Sequence, residues 1–473
     1  MKSLQLCIFF ILISGCCAAY GASHTFFTPR QITTDPTFEL ALTDYDMYHG
    51  DKNDFQLSVK PFYQRSTQGK KSAAFFLPHN KCCVAVRENG TGDINPLWFN
   101  VISASGTLYS STLCCAPQRT TYGGVLTFYA NFNRWLDGLW LLANTAIMGA
   151  THTMHVRETD RTENGTIPDF TNMCDGFNNP DWCAGKIKCC GEKTKAGLDD
   201  IQIKIGYDFD CPKVDHIALY GVLTIPTGNR PTSYYLFEPL VGSKHVTLGV
   251  GLNADYVLCE REDNSWTILG DCKYRYAFSA HERRSFDLCD NGDWSRYLLV
   301  VDQSQPLNSL PGINYFTLPT KVTPRSTVDF WLALHHRHCN WDIEIGYDLW
   351  WRQKEKVALR CCNNALSNNT IGIYDMSGVC GTNQTSASTA TIAQSFGTVV
   401  SDAIFVPLTV SDLNLSSAAH PNVLTNKIYA AIARPYAFRC FAGLFGLGGS
   451  YEFAQHNAAF NQWALWADVG LAF

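Results

Sequence analysis

Beyond Ala22 the sequence has no stretch of the ~18–20 apolar residues that a helix needs to cross a bilayer. Its longest apolar run, residues 136–150, is broken by Asp137 and Asn144. Charge is scarce too: Asp, Glu, Lys and Arg make up 17% of the chain, with a net charge of −5 and a pI near 6.2. Lacking a basic surplus, the chain offers no electrostatic footprint for nucleic acid. It also has no G-x-S-x-G or H-E-x-x-H motif and no compact Ser/His/Asp grouping. No catalytic residue, cofactor or metal is therefore expected, and a hydrolase hidden among scattered Ser, His and Asp is the lesser alternative.

The first residues read as a targeting segment. Lys2 supplies a positive charge, Leu4 to Ile13 a short apolar run, and Ala18, Ala19, Gly21 and Ala22 the small residues of a cleavage site. A signal peptide over residues 1–22 is expected. Ile13-Ser14-Gly15-Cys16 could alternatively direct lipid to Cys16. Either route takes the chain out of the cytoplasm.

Aromatic residues are plentiful at 13%, and there are 20 cysteines. Setting aside Cys7, Cys16 and Cys17 in the leader leaves an odd number, which implies a free thiol or a bridge to a neighbouring molecule. In an oxidising compartment such a load reads as disulfides. Cys82-Cys83, Cys114-Cys115, Cys189-Cys190 and Cys361-Cys362 are adjacent pairs, each expected to staple two different segments. Cys174, Cys183, Cys189 and Cys190 are disulfide candidates in the polar insertion 158–199; they lack the paired C-x-x-C knuckles of a zinc site.

The dominant pattern is period-two alternation. In residues 200–210, Ile201, Ile203, Ile205, Tyr207 and Phe209 oppose Gln202, Lys204, Gly206 and Asp208. Residues 246–258, 266–280 and 294–302 read as further strands, and 328–336 with 341–351 as a hairpin about Asn340. Residues 427–433, 437–453 and 460–473 close the series. Several of these runs reach the ~9–11 residues that a tilted strand needs to cross a bilayer, and short turns alternate with long loops. Without membrane helices, a membrane protein has to be a closed barrel, because hydrocarbon leaves backbone groups no other partner. The fold class expected is all-β: a transmembrane antiparallel β-barrel of roughly 12–16 strands with long external loops, as porins have. A soluble β-sandwich is the competing fold. Residues 23–54, polar with scattered aromatics, read as a periplasmic lead-in or plug, and 55–473 as the barrel.

The chain ends in W-A-L-W-A-D-V-G-L-A-F, with Trp463, Leu465, Ala467, Val469, Leu471 and Phe473 on one face. This resembles the closing strand of bacterial outer-membrane β-barrels. The resemblance implies an outer-membrane location, contact with outer-membrane lipid, and an assembly signal in Trp463, Leu471 and Phe473 read by the barrel-assembly machinery. Thr224-Ile225-Pro226-Thr227-Gly228-Asn229 and Leu248-Gly249-Val250-Gly251 are similar to a pattern in the barrels grouped with fatty-acid and aromatic-hydrocarbon transporters. Those barrels often carry an amino-terminal plug. The cysteine load resembles that of cysteine-rich bacterial envelope proteins.

Asp208, Asp255, Lys273, Arg275, Asp342, Glu344, Asp348 and Arg352 oppose the apolar stripes. In a barrel they face the lumen. There they either select among passing solutes as pore-lining residues or satisfy one another in a closed interior. His335, His336, His338 and Cys339 crowd one strand end; His336 and His338 share a face that could hold a divalent metal, although a loop or interface position is the commoner role. Gly443, Gly446, Gly448 and Gly449 lack the strand–turn–helix setting of a nucleotide loop, and fit a strand that bends or packs closely. Asn89, Asn164, Asn368, Asn383 and Asn414 lie in N-x-[ST] sequons, which would matter in a secreted or viral glycoprotein.

The function expected is a passive pore or transport channel for small solutes. The alternative is a disulfide-rich structural or adhesive surface protein, homo-oligomeric or disulfide-linked to its neighbours.

Overall fold

The computed structural model describes residues 23–42, 55–101, 108–162, 170–209, 216–261, 264–305, 308–360, 365–374, 389–394, 405–438 and 441–473. The leader over residues 1–22, residues 43–54, Cys361-Cys362 and the sequons at Asn164 and Asn383 lie outside these.

Twelve strands form a closed antiparallel barrel: Phe55–Thr67 (β1), Gln118–Asn131 (β2), Leu139–Thr153 (β3), Ile201–Asp208 (β4), His216–Ile225 (β5), Thr247–Arg261 (β6), Asn264–Ala277 (β7), Arg325–His338 (β8), Trp341–Arg352 (β9), Val423–Phe438 (β10), Phe441–Ala454 (β11) and Asn461–Ala472 (β12). Each pairs with its sequence neighbours, and β1 pairs with β12 from Gln56 opposite Ala472 to Thr67 opposite Asn461. Each of the twelve strands is thereby paired on both sides. Lys193–Leu198 continues the line of β4 along β3, separated from it by Asp199 and Asp200.

Alternation sorts the side chains. In β9, Asp342, Glu344, Asp348, Trp350 and Arg352 are buried inside, whereas Ile343 and Ile345 face out, Ile345 at 61% exposure. Val250, Leu252, Leu447, Leu465 and Val469 extend the outward apolar belt. Tyr63, Tyr207, Tyr256, Trp266, Tyr276, Trp341 and Phe473 add exposed aromatic rings. An exterior this apolar over a polar interior inverts the arrangement of a soluble barrel and requires hydrocarbon around it.

The two rims differ. At one, the ends of β2, β4, β6, β8 and β10 stand beside the starts of β3, β5, β7, β9 and β11, close in sequence, and β1 begins beside the end of β12. At the other, residues 68–101, 108–117, 154–162, 170–192, 226–246, 278–305, 308–324, 353–360, 365–374, 389–394 and 405–422 fold together into a cap over the barrel mouth. Its apolar core includes Phe76, Trp98, Phe99, Phe177, Trp294 and Tyr297, each at most 2% exposed. Short strands, the eight-residue helix Gly69–Phe76 and single helical turns make up the cap, stapled by Cys83–Cys114 and Cys174–Cys189.

Several expectations change here. Residues 294–302 are not a barrel strand: Ser295–Tyr297 is a 3-10 turn and Leu299–Asp302 a short cap strand against Ser309–Pro311 and Ile371–Ile373. Its run of apolar residues is buried on every side, and periodicity does not separate that from a core strand. The strand expected over 427–433 runs on to Phe438, with Pro435 inside the ladder opposite Leu444, and the strand expected over 437–453 begins only at Phe441. Of the cysteine candidates, Cys174 and Cys189 bridge, whereas Cys183 and Cys190 are exposed and unbridged. Cys82 and Cys115 are likewise thiols beside the Cys83–Cys114 staple.

Candidate functional site

Much of the lumen is occupied by the chain's own residues. The described chain starts inside the cap, where the His24 amide donates to the Phe75 carbonyl at 2.9 Å and Phe27 joins the cap core. It then runs down the lumen. The short helix Pro36–Leu40 (α1) is capped by Asp35, whose carboxylate accepts from the Thr37 amide at 3.1 Å. By Leu42 the chain is level with Glu344, whose carboxylate accepts the Leu42 amide at 3.4 Å.

Charge pairing pins this segment to the wall. Arg30 contacts Asp348 at 2.9 Å, Glu452 at 3.1 Å and Asp329 at 3.4 Å, on β9, β11 and β8. Lys427 of β10 closes on Asp35. Glu39 takes Lys204 of β4 at 2.5 Å and Lys273 of β7 at 3.0 Å. Lys60 of β1 donates to the Ala41 carbonyl at 2.6 Å and pairs with Asp468 of β12 at 3.2 Å. At the break between Leu198 and Ile201, Asp199 accepts the Thr33 amide at 3.0 Å. Buried ions are tolerated only when so paired and hydrogen-bonded.

All eight charges expected on the inner face lie there, with varied surroundings. Arg275 pairs with Asp329 at 2.5 Å. Asp342 accepts from Arg337 at 2.8 Å and faces His335 at 3.3 Å. Glu344 accepts the Tyr429 hydroxyl at 2.5 Å. Arg352 donates to His420 at 2.6 Å at the base of the cap. Asp348 and Lys273 hold the segment through Arg30 and Glu39. Asp208 and Asp255 line the cavity described next. His336 stacks on Trp266, with ring centroids 4.0 Å apart, and no cluster of metal-ligating side chains occurs among the described residues.

The segment does not fill the lumen toward the short-turn rim. An open cavity of about 720 Å³, solvent at its mouth included, is lined by Leu40, Tyr129, Trp140, Leu142, Lys204, Asp208, His216, Tyr220, Asn253, Asp255, Leu269, Asp271 and Trp331. Trp140 Nε1 donates to Asp208 at 2.7 Å, and the Tyr220 hydroxyl donates to Asp271 at 2.7 Å. Glycine lets both rings lie flat against the wall: a Cβ on Gly206 would strike the Trp140 indole, and one on Gly251 the Tyr220 ring. Gly448 does the same for Trp466.

Sequence reasoning missed Arg30, Asp35 and Glu39, which lie in a segment without periodicity. It also missed Asp271 and Tyr220. Parity alone would have found Asp271, two residues before the inward Lys273.

No family model and no characterised protein sequence matches the chain. Solved structures do. An outer membrane channel from Pseudomonas putida F1 aligns over 90% of this chain and 98% of its own, at 11% identity and a TM-score of 0.40. The Pseudomonas putida toluene transporter TodX aligns over 96% and 97%, at 10% identity and a TM-score of 0.32. The β domain of the Bordetella autotransporter BrkA aligns over 89% and 100%, at 8% identity and a TM-score of 0.34. At these identities and TM-scores none of them assigns a residue or a ligand here.

Proposed function

We propose that the protein is an outer-membrane channel for small solutes, closed at rest by its own residues 23–42. The observation that carries this reading is the placement of Arg30 among Asp329, Asp348 and Glu452, carboxylates from three different strands. A barrel with an apolar exterior and this charged interior has a water-compatible route along its axis once the segment shifts. The cap over the opposite mouth would filter what reaches it. Outer-membrane residence, export on a cleaved leader and assembly through Phe473 belong to the same reading.

The test is conductance in a planar bilayer, comparing the full chain with one lacking residues 23–42. The full chain is expected to conduct little and the truncated chain several-fold more. Equal conductance would remove the closing role of the segment. Silence from both would favour a disulfide-rich surface protein without transport.

A further inference from the structure

We infer that the cavity at the short-turn end of the lumen binds a small organic cation, an ammonium group carried on a compact apolar body. This deepens the channel reading and rests on it for the route by which the ligand arrives.

The lining carries the carboxylates of Asp208, Asp255 and Asp271 against the ammonium of Lys204 and the imidazole of His216, which lies 3.7 Å from Asp208. Lys204 is already engaged by Glu39 at 2.5 Å. Asp271 is 2% exposed; its Oδ2 accepts from Tyr220, but its Oδ1 has no hydrogen-bond partner. A buried carboxylate oxygen left without a donor is costly, and a ligand that brings an N–H or a positive charge relieves that cost.

The walls suit the same ligand. The Trp140 ring lies 6.2 Å from Tyr129 and 5.8 Å from Tyr220, and Trp331 adds a fourth aromatic ring to the lining. Ring faces attract ammonium groups. One already does so here, as Lys204 Nζ sits 4.5 Å from the centre of the Tyr220 ring. Leu40, Leu142 and Leu269 supply apolar contact for the rest of the molecule. A carboxylate ligand would meet like charge, and a neutral hydrocarbon would leave Asp271 Oδ1 unsatisfied.

Choline is the probe. The full chain in detergent, its folding checked by unheated electrophoresis, is titrated with choline chloride by calorimetry, with sodium chloride and sodium acetate as controls. Saturable choline binding is expected, about tenfold weaker in Asp271→Asn and weakened again in Trp140→Leu. If Asp271→Asn does not fold, Gly251→Ala, which pushes Tyr220 into the cavity, has to weaken binding instead. Absence of saturation, equal binding of acetate, or full affinity in the folded variants would overturn the inference. Because binding is read without conductance, a protein that conducts but ignores choline removes this inference alone. A protein that binds choline but never conducts removes the channel reading alone.

Discussion

Phe55 and Phe473, the first residue of the barrel and the last of the chain, exchange both backbone hydrogen bonds. The Phe55 amide donates to the Phe473 carbonyl at 3.1 Å, and the Phe473 amide donates back at 2.9 Å. Their rings lie 6.2 Å apart on the outer face, at the short-turn rim. The terminal aromatic therefore forms the first rung of the β1–β12 seam.

Removing Phe473 takes away that rung and an aromatic anchor at the belt's edge. The expected result is a lower yield of folded barrel, read as the fraction whose mobility in SDS gels changes on heating. The loss should be larger in cells than in refolding from urea into detergent if the residue also serves as an assembly signal. Equal losses in the two settings would leave it only its structural part.

Ile345 is 61% exposed in the middle of β9. Ile345→Arg should destabilise the barrel in lipid by about 2–4 kcal/mol if that position lies near the bilayer midplane. A water-facing surface position would change by only about 0.5 kcal/mol. Urea unfolding in vesicles separates the two outcomes.

Arg30→Ala strands the buried carboxylates of Asp348 and Glu452 with fewer partners. Breaking a buried pair in this way costs about 3–5 kcal/mol. The loss should appear as faster hydrogen exchange in α1 and as a higher conductance than that of the intact chain. Arg30→Lys should fall between the two. Unchanged exchange in α1 would show that Glu39 and Asp35 hold the segment by themselves.

The cap should be sensitive to acid. Burial, reinforced by the charges of Lys354 and Arg296, lowers His24 from 6.5 to about 4. Burial and the adjacent Arg352 guanidinium hold His420 well below its ordinary value. Both are neutral in the folded cap and take up protons more readily when it unfolds. Their stabilising contribution is thus whole above about pH 6.5 and is lost as pH falls toward 4. Protease resistance of the cap should fall across that window, and less so in His420→Gln. Resistance that stays constant down to about pH 4 would contradict this.

Thiol chemistry should follow exposure. Cys183 and Cys190 are exposed and should alkylate in the native protein. Cys115, whose thiol burial pushes up to about 12, should not. Peptide mapping after native alkylation checks both, together with the Cys83–Cys114 and Cys174–Cys189 bridges. Higher oligomers on non-reducing gels that vanish in Cys183→Ser/Cys190→Ser would place these thiols between neighbouring molecules.

The barrel was legible wherever one face meets lipid and the other the lumen, as in residues 200–210 and the hairpin about Asn340, because that division imposes a strict period of two. Strand β10 was harder, since Pro435 reads in the sequence as a break although it keeps its place in the ladder opposite Leu444. The cap was not legible: its core draws on connections far apart in sequence, each too short to show a period. The inward position of Asp348 and Lys273 could be read from parity. Their partners Arg30 and Glu39 could not, because nothing local in a polar stretch says that it will be enclosed.

That enclosure constrains the order of assembly. Residues 23–28 sit in the cap, Leu42 lies within the lumen, and β1 starts at the opposite rim, so the barrel is a ring drawn around a portion of its own chain. If the β1–β12 seam zips last, Arg30, Asp35 and Glu39 meet their partners while the sheet is still open to water, and hydration is shed gradually as the ring tightens. If the seam zips first, the same ions have to be threaded bare into a confined passage. The first sequence avoids the larger barrier, which makes the seam a lock whose closing time decides what is held inside.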